Sequence, residues 1–153
     1  MNADKIGGAS SANDDPRITR IGRLLRRYKL DELPQLLNVL GSQMSLVGPR
    51  PEVPEYTAMF SQDETRILSV RPGITDWASI WNSDEGALLE GAADPERIYL
   101  EKIRPEKIRL QLKYVDNHSL SADFQILLET ITILLSRRRS IPELDVRPGA
   151  NPR

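Results

Sequence analysis

Leu30-Asp31-Glu32-Leu33-Pro34-Gln35-Leu36-Leu37-Asn38-Val39-Leu40-Gly41 reads as a short helix entered through two adjacent carboxylates. Leu33, Leu36, Leu37 and Leu40 fall at helical spacing and supply a core face. Pro34 belongs in the first turn, where a missing N–H costs little, and Gly41 is placed to end the helix. Asp31 can act as the N-cap, which would make the carboxylates a capping device. Adjacent helical residues diverge by about 100°, so Asp31 and Glu32 do not face each other as a glycosidase pair would. Both can nevertheless reach a ligand over the helix end, where partial positive charge and free N–H groups suit phosphate oxygens.

On the N-terminal side, Arg17 to Lys29 reads as a helix with Ile18, Ile21, Leu24, Leu25 and Tyr28 on one arc. Arg20, Arg23, Arg26, Arg27 and Lys29 lie outside that arc. Such a basic amphipathic helix can lie on an anionic membrane or hold a phosphorylated ligand. A solvated face opposite a core face explains it equally. On the C-terminal side, Gly48, Pro49 and Pro51 shape a rigid loop around Arg50. An arginine held there is preorganised to meet a carboxylate or phosphate in a bidentate way, and can equally be a structural ion-pair partner.

Further along, Glu52 to Phe60 reads as a short helix interrupted by Pro54, and Ser61-Gln62-Asp63-Glu64 as a capping box opening a helix through Val70. Arg71-Pro72-Gly73-Ile74-Thr75 reads as a turn, and Asp76 to Trp81 as a short strand or extended segment. Asn82 to Ala93 is polar and glycine-containing and reads as a surface loop. Asp94-Pro95 has the cap and first position of another helix. Glu106 to Val115 is helical, Asp116 to Ser119 a break, and Ala122 to Leu135 a second helix. Its apolar residues exceed a single stripe, so it is either deeply packed or dips into a membrane interface. Arg137-Arg138-Arg139 then favours the helix C-terminus or holds lipid phosphates.

With 153 residues the chain is long enough for one domain, and 28% charged against 39% hydrophobic residues predicts that most of it folds. There is no cysteine and His118 is the sole histidine, which excludes disulfides, thiolate nucleophiles and multi-imidazole sites. Acid–base or metal chemistry falls to carboxylates, Lys, Tyr or Arg. No aromatic residues interleave the arginines, so nucleic acid is not an expected partner. No run has the length of a transmembrane helix. Residues 1–16 read as a small-residue loop at which an upstream segment has been cut away, and 137–153 as a basic, proline-containing tail. The fold expected for 17–136 is α+β and mainly α-helical: a compact single domain of short helices with few short strands. An ionised carboxylate, arginines and an oxygen site for a hard cation are the ingredients of phosphoryl transfer; capping plus salt bridges accounts for the same residues.

Arg17-Ile18-Thr19-Arg20-Ile21-Gly22-Arg23-Leu24-Leu25-Arg26, Leu30 to Leu40, and Met44-Ser45-Leu46-Val47-Gly48-Pro49-Arg50-Pro51 follow one another closely. With Arg71-Pro72-Gly73-Ile74-Thr75 and Tyr114-Val115-Asp116-Asn117, they resemble the bacterial sugar transferase family, the monotopic polyprenyl-phosphate phosphoglycosyl transferases that begin exopolysaccharide, O-antigen and glycoprotein glycan synthesis. The resemblance runs from about Asp15 to Leu135.

It implies that Asp31 is the nucleophile on a UDP-sugar, with Glu32 as its partner and candidate base for a polyprenyl phosphate acceptor, and with Mg²⁺ at Asp31. Arg26 and Arg50 match the phosphate-contacting arginines, and Arg71, Pro72, Gly73 and Thr75 become candidates for the nucleotide site. The implied location is the cytoplasmic face of the bacterial inner membrane, against its lipid surface. Three departures accompany the match. The family's N-terminal hydrophobic re-entrant helix and Lys-Phe-Arg-type segment are not in this sequence. Asp76-Trp77-Ala78-Ser79 stands where the family often has Gly-Trp-Ala-Gln, and the segment 82–104 exceeds the shortest members. The alternative is an inactive, anchorless remnant that binds a membrane or a synthesis partner.

Overall fold

The computed structural model describes residues 18–27 and 33–136. Helix α1 (Arg20–Arg27) opens with the Thr19 hydroxyl accepting the Gly22 N–H at 3.0 Å. On its apolar arc Ile21, Leu24 and Leu25 are all exposed, so the arc does not form a core face among the described residues.

Helix α2 (Gln35–Leu40) begins later than the sequence suggests. Pro34 is the N-cap rather than a first-turn residue, one position before the helix and already at helical φ −59° and ψ −26°. Asp31, read from the sequence as the N-cap, lies outside the described residues, and Pro34 makes no side-chain cap of its own. Leu33, Leu36, Leu37 and Leu40, expected in the core, are exposed, and no residue of α2 is fully buried among the described residues. Gly41 does end the helix, donating its N–H to Leu37 O at 2.8 Å, but Ser42 takes the left-handed conformation at φ 60°.

Strand β1 (Ser45–Val47) pairs in parallel with β2 (Gly73–Thr75), Ser45 opposite Gly73 and Val47 opposite Thr75. The segment read as a turn is therefore a strand; its partner lies well back along the chain, where no local signal announces it. Helix α3 (Pro54–Thr57) starts at Pro54 instead of being interrupted by it. The capping box is present: Ser61 N–H donates to Glu64 Oε2 at 2.8 Å and Glu64 N–H to Ser61 Oγ at 3.3 Å. The helix it opens is a tight 3₁₀ turn sequence, Glu64–Ser69.

Asp76 to Trp81 is not extended. Helix α4 (Trp77–Trp81) forms there with Asp76 as its N-cap. The expected surface loop contains α5 (Glu85–Leu88) and carries Leu88 and the fully buried Leu89 into the core. Helix α6 (Pro95–Ile98) has the expected Asp94 cap and leading proline, then passes through a π-helical turn (Tyr99–Ile103) into α7 (Arg104–Asn117). Helix α8 (Leu120–Ser136) completes the described chain. The fold is α+β and mainly helical, with short helices around two short strands.

Two apolar clusters hold it together. Tyr56, Leu88, Leu89, Tyr99 and Ile103 make one, with Tyr56 and Tyr99 stacked at 4.6 Å between ring centroids. Val47, Tyr114 and Ile126 make the other. Helix α4 spans both, since Trp81 packs on the first while Trp77 and Ile80 pack on the second. Helix α8 is not deeply packed: Ile126 is fully buried, but Leu120, Phe124, Leu128, Ile131 and Leu135 are exposed. No helix among the described residues is long and apolar enough to cross a membrane.

Candidate active site

The parallel pairing joins two stretches singled out from sequence, Gly48-Pro49-Arg50 and Arg71 to Thr75. Gly48 N–H donates to Thr75 O and Gly73 N–H to Pro49 O, each at 3.0 Å, while Ser45 N–H donates to Pro72 O at 2.8 Å. Gly48 and Gly73 meet backbone to backbone. A Cβ on Gly73 would lie 2.2 Å from Gly48 N and 2.6 Å from its Cα and O, closer than real atoms approach. Only glycine permits this contact.

Just beyond it, the backbone of Arg50 is held from both sides. Its N–H donates to Asp76 Oδ2 at 3.3 Å, and its carbonyl accepts from Gln111 Nε2 at 3.3 Å. Asp76 and Gln111 are both fully buried. The other Asp76 oxygen, Oδ1, accepts from the Ser79 N–H and Oγ, each at 2.7 Å, so one carboxylate caps α4 and fastens the Arg50 loop to it. A buried carboxylate is costly unless such donors surround it.

Glu52 anchors the loop at its far end. Lys107 Nζ lies 2.6 Å from Glu52 Oε1, with both side chains largely buried, and the Tyr99 hydroxyl donates to both carboxylate oxygens at 3.2 Å. Burial, and then the Glu52 charge, push Tyr99 far above the ordinary tyrosine range, so it stays a donor. Tyr114 behaves likewise: burial, then its hydrogen bond to Asp123, raises it, and its hydroxyl donates to Asp123 Oδ1 at 2.8 Å. Arg50, Pro49 and Pro72 line a cleft of about 170 Å³ whose other walls include Thr57, Phe60 and Leu68.

Of the candidates read from sequence, Asp31 and Glu32 lie outside the described residues. Arg26 belongs to α1, with its side chain also outside them. Arg50 is described and its backbone is fixed as above. Arg71 is exposed beside it, whereas Pro72, Gly73 and Thr75 build the platform beneath: Pro72 and Thr75 lend carbonyls to β1, and the Thr75 hydroxyl lies 2.8 Å from that of Thr130 on α8. The structure thus brings Arg50 together with the Arg71 to Thr75 segment. Sequence reading missed Asp76 as an anchor, although its departure from the family pattern marked it, and missed Gln111 altogether. Among the described residues, no three His, Asp or Glu side chains come together to hold a metal ion.

The model of the family described as bacterial sugar transferase matches residues 1–137. The chain is 40% identical over 122 residues to an uncharacterized sugar transferase, EpsL, of Bacillus subtilis, covering 80% of this chain and 52% of that protein. It is 37% identical over 125 residues to the exopolysaccharide production protein ExoY of Sinorhizobium fredii, covering 81% and 48%. With the UDP-glucose:undecaprenyl-phosphate glucose-1-phosphate transferase of Escherichia coli the identity is 36% over 136 residues, covering 86% and 26%. The chain therefore spans about half the length of the first two relatives and about a quarter of the third.

Proposed function

Because this chain belongs to the bacterial sugar transferase family, we propose that it transfers a sugar 1-phosphate from a UDP-sugar to a membrane polyprenyl phosphate, the first step of a polysaccharide or glycan. The observation that carries this reading is the fixed backbone of Arg50, clamped between Asp76 and Gln111 beside a cleft that Arg50 lines. Phosphoryl transfer asks a protein mainly for positioning and for fixed positive charge at the phosphate.

In the proposed sequence an Asp31 carboxylate oxygen attacks the sugar-proximal phosphorus. The bond from that phosphorus to the UMP oxygen breaks, UMP leaves with the electron pair, and the sugar phosphate stays on Asp31. An oxygen of the polyprenyl phosphate, with Glu32 taking any proton it carries, then attacks the same phosphorus. The aspartyl bond breaks, giving the lipid-linked diphosphosugar and the free carboxylate. Arg26 and Arg50 face the phosphates throughout. The carboxylate oxygens of Asp31 suit a hard cation such as Mg²⁺, which when bound offsets diphosphate charge. The exposed apolar residues of α1 and α8 support docking against a lipid surface, at the cytoplasmic face in this reading, where the nucleotide sugar is available.

The test is incubation of the chain in vesicles containing polyprenyl phosphate with radiolabelled UDP-sugar and Mg²⁺. UMP release with label on the protein, lost in Asp31→Asn and reduced in Arg50→Ala, is the expected result. An Asp31→Asn variant as active as its parent would refute the nucleophile. Vesicle binding without turnover would favour a binding module instead.

A further inference from the structure

Fully buried polar side chains that spend their hydrogen bonds on another residue's backbone need a reason. Asp76 and Gln111 do this on opposite edges of Arg50, from the cap of α4 and the middle of α7. Arg50 also sits between two prolines, whose φ angles are fixed. With its N–H and carbonyl both held, the direction in which its side chain leaves the backbone is set before any ligand arrives.

We propose that Asp76 and Gln111 are positioning residues that aim Arg50 at the substrate phosphate. This rests on the proposed function, in which Arg50 contacts that phosphate. The chemistry of the two groups makes the roles separable. Asp76→Asn keeps one oxygen for the α4 cap, but its amide nitrogen cannot accept the Arg50 N–H. Gln111 Oε1 is buried without a hydrogen-bond partner. Gln111→Met therefore removes an unsatisfied oxygen along with the donor to Arg50, so its effect on stability is small while its effect on Arg50 is not.

The experiment measures kcat/KM for the UDP-sugar in Asp76→Asn, Gln111→Met, Arg50→Lys and the two double variants, with melting temperatures alongside. Misaiming a charge by about 1 Å costs up to about a hundredfold, so each positioning variant should lose between about tenfold and a hundredfold in kcat/KM. Gln111→Met should melt within about 3 °C of the parent. In the Arg50→Lys background, neither second substitution should cost more than about twofold, because the geometry they protect is already lost. Losses that multiply in the double variants, or Gln111→Met and Asp76→Asn variants of parental activity, overturn the inference. If Asp76→Asn does not fold, the Gln111→Met cycle decides alone. An Arg50→Lys variant with full activity would instead overturn the role of Arg50 itself, and with it the proposed phosphate contact.

Discussion

Replacing Gly73 by alanine tests the backbone contact under the site. The added Cβ would sit 2.2–2.6 Å from three backbone atoms of Gly48. No side chain can rotate out of the way, so β1 and β2 must separate. Separation strains the Gly73-to-Pro49 and Gly48-to-Thr75 hydrogen bonds, each contributing about 1 kcal/mol. Overpacking adds about 1–3 kcal/mol. A loss of about 3–5 kcal/mol follows, a large share of the roughly 5–15 kcal/mol that stabilises a domain. Gly91 supplies the control. Unlike Gly73 it is at positive φ (72°), and a Cβ there meets nothing within 4 Å, so Gly91→Ala should cost only the backbone term of about 1–2 kcal/mol. Urea unfolding followed by circular dichroism gives both values. If Gly73→Ala is no less stable than Gly91→Ala, the strands are not in the contact described.

Ile126→Ala, at a fully buried position of α8, should cost about 2–5 kcal/mol, whereas Leu135→Ser on the exposed face should stay within about 0.5 kcal/mol; both are read from urea midpoints. Lys107→Ala leaves the Glu52 carboxylate buried without its cation and should cost about 3–5 kcal/mol, most of it recovered by Glu52→Gln in the same chain. The Ser61 backbone N–H, helped by Arg104 and opposed by burial, holds Glu64 below its ordinary value of 4.5. A depressed carboxylate stabilises above the unfolded value and loses that contribution as pH falls through the folded one. Glu64→Gln should therefore lower stability by about 1 kcal/mol at pH 7, and the gap should narrow as pH falls below 4.5.

What could be read in the sequence was what local chemistry decides. The Ser61–Glu64 box, the Asp94-Pro95 start and the end of α2 at Gly41 each depend on residues a few positions apart, and each is present. Errors arose where distant partners decide. Trp77, Ile80 and Trp81 favour strands when taken alone, yet the Asp76 side chain caps a helix there and the two tryptophans bury against different clusters. Leu88 and Leu89 looked like part of a polar loop because their neighbours are polar. The leucines of α2 have the spacing of a core face without a described surface to meet. The rigid loop at Arg50 was legible from Gly48, Pro49 and Pro51. Its anchors were not, since Asp76 and Gln111 follow Arg50 by 26 and 61 positions.

The parallel pairing of β1 with β2 also bears on how the chain folds. A parallel pair needs a crossover, and here the crossover holds Tyr56 and Ile67, which must find their own places before the glycines can meet. Gly48 and Gly73 should thus come together late, after the loop-closure entropy of that crossover has been offset by its packing. Hydrogen exchange at their amides then reports opening of the whole domain rather than fraying of a short sheet. The cleft lined by Arg50 should share that cooperativity, forming with the fold rather than after it.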